Sequence, residues 1–183
     1  VLLDLARRLP VRPNALAGGM AAVLLLLGWL TYSRAQVWSS AFALWEDTAA
    51  KSPAKVRPRF QLAYAYFQEQ RCAEASREFA HAARLGPPDT TLLVDWGLSL
   101  DCEGKLDQAL TPLRQAAEKE PSAHVYSTIG MVYAKLGRYQ EAMIALDRAQ
   151  AMDDVYSMTF VYRGNVFAAT GDWGKAAGQY RQA

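Results

Sequence analysis

The chain has 183 residues, 51% hydrophobic and 21% charged, the proportions of one or two ordinary folded domains. A formal net charge of +2, with no Lys/Arg block to track phosphates, argues against nucleic acid as a partner. Alternating β-branched runs bounded by turns are essentially absent, which argues against a β fold.

In chain order, the first element is a short juxtamembrane segment, residues 1–13, carrying Arg7, Arg8 and Arg12. It starts at Val1 without an initiator Met, and the chain stops at Ala183 inside a helical pattern, so the sequence reads as a piece of a longer protein. Between Arg12 and Arg34 lie 21 uncharged residues, PNALAGGMAAVLLLLGWLTYS. A helix over Ala15–Tyr32 is about 27 Å long, close to the ~30 Å of a bilayer core. Trp29 and Tyr32 fall where aromatic rings sit at the headgroup level, and Gly18 and Gly19 are tolerated in such helices. Residues 14–33 are therefore expected to be a transmembrane helix. Two readings compete with it: a signal peptide cleaved near "SRA" at 33–35, and a buried core helix. Three arginines before the span against Arg34 after it put the following residues outside the cytoplasm.

Next comes WSSAFALWEDTAAKSP, residues 38–53, whose status as stalk, helix end or half-repeat depends on the pattern of residues after it. From residue 56 small and large residues recur in phase. Residues 56–89 hold Ala63, Tyr66, Ala75, Phe79, Ala82 and Pro87. Residues 90–122 hold Gly97, Leu100, Gly104, Ala109, Leu113, Ala116 and Pro121. Residues 123–156 hold Gly130, Tyr133, Gly137, Ala142, Leu146 and Ala149, and residues 157–183 hold Gly164, Phe167, Gly171, Ala176 and Tyr180. The step is 34 residues, then 33, then 34. The small residues let paired helices approach closely, the aromatics fill beside them, and Gly104, Gly137 and Gly171 suit the inter-helix turn.

This register resembles the tetratricopeptide repeat (TPR) family, W-x2-L-G-x2-Y followed by A-x3-F-x2-A and a Pro, over residues 56–183. The resemblance implies an all-α, right-handed superhelical solenoid of helix-turn-helix pairs, here preceded by one membrane helix. The repeats are 56–89, 90–122, 123–156 and a truncated 157–183. Some positions depart from the pattern: Arg59 and Arg163 stand at apolar sites, Gln70 at a turn Gly, Asp154 at the closing Pro, and Pro112 inside a helix. Set back one step, the register puts Ala41, Trp45, Thr48 and Pro53 on second-helix positions. Residues 36–55 are then a degenerate half-repeat that caps the solenoid through Phe42 and Trp45, with the apolar run ending near Trp29 and Tyr32 in the first-helix slot.

TPR ligands lie along the concave face lined by the first helix of each pair. By register this face takes Arg57, Phe60, Tyr64 and Phe67 from repeat one and Val94, Leu98 and Asp101 from repeat two. Repeat three gives His124, Ser127, Met131 and Lys135, and repeat four gives Met158, Val161 and Asn165. The family's carboxylate clamp is not reproduced, so an apolar extended or helical peptide fits better than a carboxyl-terminal one. The alternative is a face covered by other parts of a full-length chain. Cys72 and Cys102 fall at the same end of neighbouring helices, where they are either a disulfide between repeats one and two or two unrelated packing residues.

No catalytic residue, cofactor or metal site is expected in this chain. His81 and His124 have no Cys or acidic partner at ligand spacing, and ATGDWGK at 169–175 is an inter-helix turn by phase. The chain is expected to be a membrane-anchored scaffold for a protein or peptide partner, with the repeats periplasmic or otherwise extracytoplasmic and the oligomeric state open. A shorter resemblance rests on Thr31, Arg34, Trp38, Trp45, Asp47, Lys51 and Pro53. It is similar to the C-terminal part of transmembrane-and-TPR proteins of the O-mannosyltransferase type. That resemblance implies an acceptor-binding TPR region of a polytopic glycosyltransferase, whose catalytic acids sit in an early loop outside these residues.

Overall fold

The computed structural model describes residues 13–153 and 155–183. Arg7, Arg8 and Arg12, with the stretch 1–12, lie outside the described residues, and so does Asp154. Among the described residues every regular element is a helix. The first two are α1 (Pro13–Gln36) and α2 (Ala41–Lys51). Four pairs come after them: α3 (Val56–Gln68) with α4 (Cys72–Leu85), α5 (Thr90–Cys102) with α6 (Leu106–Lys119), α7 (Ala123–Lys135) with α8 (Tyr139–Met152), and α9 (Ser157–Ala169) with α10 (Trp173–Tyr180). This is a TPR solenoid, in which α3, α5, α7 and α9 are the A helices and their partners the B helices.

Each hairpin is closed by the same backbone device. The amides of Arg71, Lys105, Arg138 and Asp172 donate to the carbonyls of Tyr66, Leu100, Tyr133 and Phe167 at 2.8–2.9 Å. The preceding residue in each turn has positive φ: Gly104, Gly137 and Gly171 at 73–83°, and Gln70 at 59°. This is a Schellman ending, which satisfies the last carbonyls of the A helix and needs the left-handed region at one residue. Gln70 therefore bears a Cβ where the other three turns have none. Ser40, Asp89, Ser122 and Asp172 cap the starts of α2, α5, α7 and α10 by accepting from the amides of Ala43, Leu92, Val125 and Lys175.

The core lies where the register puts small residues against large ones. Phe79, Leu113 and Leu146 have no solvent exposure, and neither do Ala75, Ala109, Ala142, Ala82, Ala116 and Ala149. Each large side chain contributes roughly 2–3 kcal/mol by leaving water. A Cβ on Gly97 would stand 2.5 Å from Leu113 Cγ, and one on Gly130 would stand 2.6 Å from Leu146 Cγ. Those distances are below any real contact, so the close approach of A to B requires glycine there. Pro112 is buried within α6, which stays one helix through it.

The two arginines at apolar positions are half-buried and paired. Arg59 donates to Glu78 Oε2 at 3.0 Å, and Arg163 donates to Asp147 and to Gln150 Oε1. Each still leaves its Nε buried without a partner.

The N-terminal end departs from the register. No residue of α1 between Leu16 and Gln36 is buried, and Trp29 and Tyr32 are each 65% exposed, so they do not fill an A-helix slot beside α2. α1 continues as one helix to Gln36, past the expected end at residue 33. A hydrogen-bonded turn over residues 37–39 then leads into α2. With no A helix among the described residues on its other side, α2 leaves Trp45 and Thr48 half-buried and buries only Ala49. Its Phe42 ring meets Tyr66 of α3 edge-on at 5.0 Å, and the Arg71 guanidinium lies 4.4 Å from the Tyr66 ring centre.

Candidate functional site

The A helices present one side chain per turn to a shared face, and the structure divides the expected groove residues into three sets. Arg57, Tyr64, His124, Lys135 and Asn165 are exposed. Phe60, Phe67, Leu98, Asp101, Met131, Met158 and Val161 are half-buried, and Val94 and Ser127 are buried. Val94 is 4% exposed because it belongs to the core between repeats two and three. Ser127 faces the next A helix, where its hydroxyl bonds Thr159 Oγ1 at 2.8 Å. Ser127 therefore offers no free surface, and Val94 offers only an edge. Phe60 is committed too, since its ring stacks edge-to-face on Phe79 at 5.7 Å.

Several polar residues of the face are already paired, one of them across repeats. Lys135 Nζ donates to both carboxylate oxygens of Asp101, at 2.7 and 2.8 Å. His124 Nδ1 stands 2.9 Å from the Tyr156 hydroxyl. The Tyr180 hydroxyl donates to Asn165 Oδ1 at 2.8 Å.

Two recesses open on this face. One, of about 220 Å³, brings Met131, Lys135 and Asn165 together with Tyr139 and Tyr162. The other, of about 250 Å³, lies between the starts of α5 and α7, with Val94, Asp95, Glu120 and His124 in its wall. Tyr162 and Asp95 were not among the expected groove residues. Both stand two residues before the helix-packing glycine, at Gly164 and Gly97, so the same register could have found them. Burial, with Asp89 nearby, pushes the Asp95 carboxyl up to about 6. Burial likewise raises Tyr162.

At the turn end of the array, Cys72 at the start of α4 and Cys102 at the end of α5 form a disulfide, with Cα atoms 5.7 Å apart. Beside it the Ser76 hydroxyl donates to Glu103 at 2.7 Å, and Glu103 also takes Lys105 at 2.6 Å. The Lys105 and Ser76 hydrogen bonds hold the Glu103 carboxyl below its ordinary value.

Comparison with known proteins agrees with this architecture. Residues 123–156 match the tetratricopeptide repeat family model. No curated protein matches the chain. Among solved structures, MamA (residue 41 to the end) from Desulfovibrio magneticus RS-1 superposes with a TM-score of 0.70 at 18% identity, over 85% of this chain and 90% of that one. YrrB, described as a TPR protein with an unusual peptide-binding site, gives 0.65 at 20% identity over 84% of this chain and 79% of that one. The APC/C hetero-tetramer Cut9–Hcn1 gives 0.70 at 20% identity over 78% of this chain and 28% of that one. At such identities the likeness is one of fold: residues 123–156 are a tetratricopeptide repeat, set in a solenoid built as these proteins are.

Proposed function

We propose that the chain is a membrane-anchored TPR scaffold that holds a protein or peptide partner on its A-helix face, outside the cytoplasm. The observation that carries this reading is the recess on that face lined by Met131, Lys135, Tyr162 and Asn165. Exposed Tyr64 and His124 extend the same face toward the N-terminus. YrrB, similar in fold, is itself described as having a peptide-binding site. The anchor is supported by Leu16–Gln36, with a mean hydropathy of 1.6 and no buried residue. The compartment is supported by the Cys72–Cys102 disulfide and by the arginines that precede the span.

The test is capture of partners by the full chain in native membranes, with Tyr64→Ala/Asn165→Ala as the variant. Both side chains are exposed, and circular dichroism melting checks that the variant, which loses the Tyr180–Asn165 bond, keeps its fold. The expected result is selective loss of the bound partner. Undiminished recovery by the folded variant overturns the A-face reading, and release of the chain by alkaline carbonate overturns the anchor.

A second reading, an acceptor-binding region of an O-mannosyltransferase-like protein, is favoured by one observation. Arg34, Asp47 and Lys51, three residues of the shorter resemblance, form one ion network in which Asp47 takes both cations at 2.7–2.8 Å. The reading frame upstream of Val1 separates the two. Some ten apolar spans there favour the transferase, and an initiator Met within about 20 residues favours the simple anchored scaffold.

A further inference from the structure

The B helices carry a second surface, a groove of about 440 Å³ between α6 and α8 whose floor includes Tyr126 and Tyr133 of α7. We propose that it docks an acidic segment of a partner protein that carries a large apolar side chain. This goes beyond the A-face reading, because the groove opens between two B helices, α6 and α8.

Three observations argue for that occupant. Ile144 stands 56% exposed in the groove wall. The preceding repeats hold Arg77 and Thr111 at its register, so a polar residue suits the site structurally and the isoleucine is peculiar to this groove. Next, the groove holds two guanidiniums against the tyrosine floor. Arg114 donates to the Tyr133 hydroxyl at 2.7 Å, and Arg148 lies 5.8 Å from the Tyr126 ring centre. Finally, the carboxylates of the B helices are mostly answered by cations from elsewhere: Glu74 by Arg71, Glu78 by Arg59, Glu141 by Arg138 and Asp147 by Arg163. Among the described residues Arg114 and Arg148 have no ion pair, and the one unpaired carboxylate in the groove wall is Glu118. An apolar side chain laid on Ile144 and the tyrosines would bring flanking carboxylates to these two guanidiniums, which bind carboxylates in a fork. The cations flank a recess rather than a flat patch, which suits a peptide better than a lipid surface.

The test uses the full chain in nanodiscs of zwitterionic lipid. Two labelled peptides are titrated by fluorescence anisotropy: one with Leu and Phe flanked by Glu, and its Lys-substituted counterpart. The acidic peptide is expected to bind and the Lys peptide not to. Arg114→Glu/Arg148→Glu and, separately, Ile144→Ser should each weaken binding about tenfold or more, with unchanged circular dichroism melting. Arg84→Glu/Arg181→Glu makes the same change of net charge outside the groove and should alter affinity less than about twofold. Tyr64→Ala should leave it unchanged, whatever the fate of the A-face reading. Equal binding of the Lys peptide, or equal weakening by the Arg84/Arg181 pair, overturns the proposal. So does capture of anionic vesicles that is lost in the Arg114/Arg148 variant, which would assign the surface to lipid.

Discussion

Arg34, in the last turn of α1, donates to Asp47 in the middle of α2 at 2.8 Å, and Lys51 reaches the same carboxylate at 2.7 Å. These cations hold the Asp47 carboxyl below its ordinary value, the Lys51 hydrogen bond first and that of Arg34 second. The pair lies across the short stretch that separates the apolar helix from the solenoid, and no side chain of Leu16–Gln36 is buried to brace that joint. Its role is thus orientation more than stability, since exposed ion pairs add little to folding. Asp47→Ala is expected to leave the melting temperature of the array nearly unchanged. It should broaden the distance distribution between spin labels at Gln36 and Gln61. A distribution as narrow as that of the parent protein would show that the turn over 37–39 fixes the angle without the ion pair.

The turn of repeat one carries local strain that the other three avoid. Gln70 has φ 59°, where a side chain costs on the order of 1–2 kcal/mol and glycine costs nothing sterically. Part of the gain from glycine is cancelled by the freedom it adds to the unfolded chain. Gln70→Gly is therefore expected to stabilise the protein by about 0.5–1 kcal/mol. Gly137→Gln, at the same place in repeat three, should destabilise it by about as much. Chemical denaturation reads both, and a Gln70→Gly variant less stable than its parent would mean the glutamine side chain is held by contacts that outweigh the strain.

The disulfide joins that same weak repeat to its neighbour. It closes a sequence separation of 30 residues, which in the chain-entropy view restrains the unfolded state by roughly 3–4 kcal/mol. Repeat one also carries the unpartnered Arg59 Nε, and a solenoid passes stability only between neighbours. Cys102→Ser, or reduction, is expected to speed hydrogen exchange about tenfold or more in α2, α3 and α4. Exchange in α8 and α9 should be left alone. Uniform acceleration along the array would show that it unfolds as one unit.

How far the sequence could be read depends on where each residue finds its partners. Ala63, Gly97, Gly130 and Gly164 were legible because close helix approach allows only small residues, and four copies fix the phase. The A face was legible as a face but not as a surface. Val94 and Ser127 point the way their register says, yet adjacent A helices close over them, and that closure depends on the superhelical twist. The two arginines at apolar sites were legible as exceptions only. Their partners, Glu78 and Asp147, sit 19 and 16 residues away on neighbouring helices, and no local pattern links them. The slot expected for Trp29 and Tyr32 failed for a similar reason: register assigns a position, whereas packing requires the chain to turn back, and α1 does not.

Asp95 supplies a pH dependence whose sign can be worked out. Burial, with Asp89 nearby, raises its carboxyl from 3.8 to about 6 in the folded protein. The folded state then binds the proton more tightly than the unfolded chain between about pH 4 and 6. Stability contributed by this group accordingly falls as pH rises through that window and is flat above it. Because the side chain is still partly wetted, solvent screening reduces the penalty to about 1–2 kcal/mol. Asp95→Asn keeps the shape and removes the charge, so it is expected to stabilise the protein by that amount at pH 8 and to make almost no difference at pH 4. Urea midpoints measured at both values check it. An equal shift at the two pH values would trace the effect to packing or hydrogen bonding of the amide and not to the buried charge.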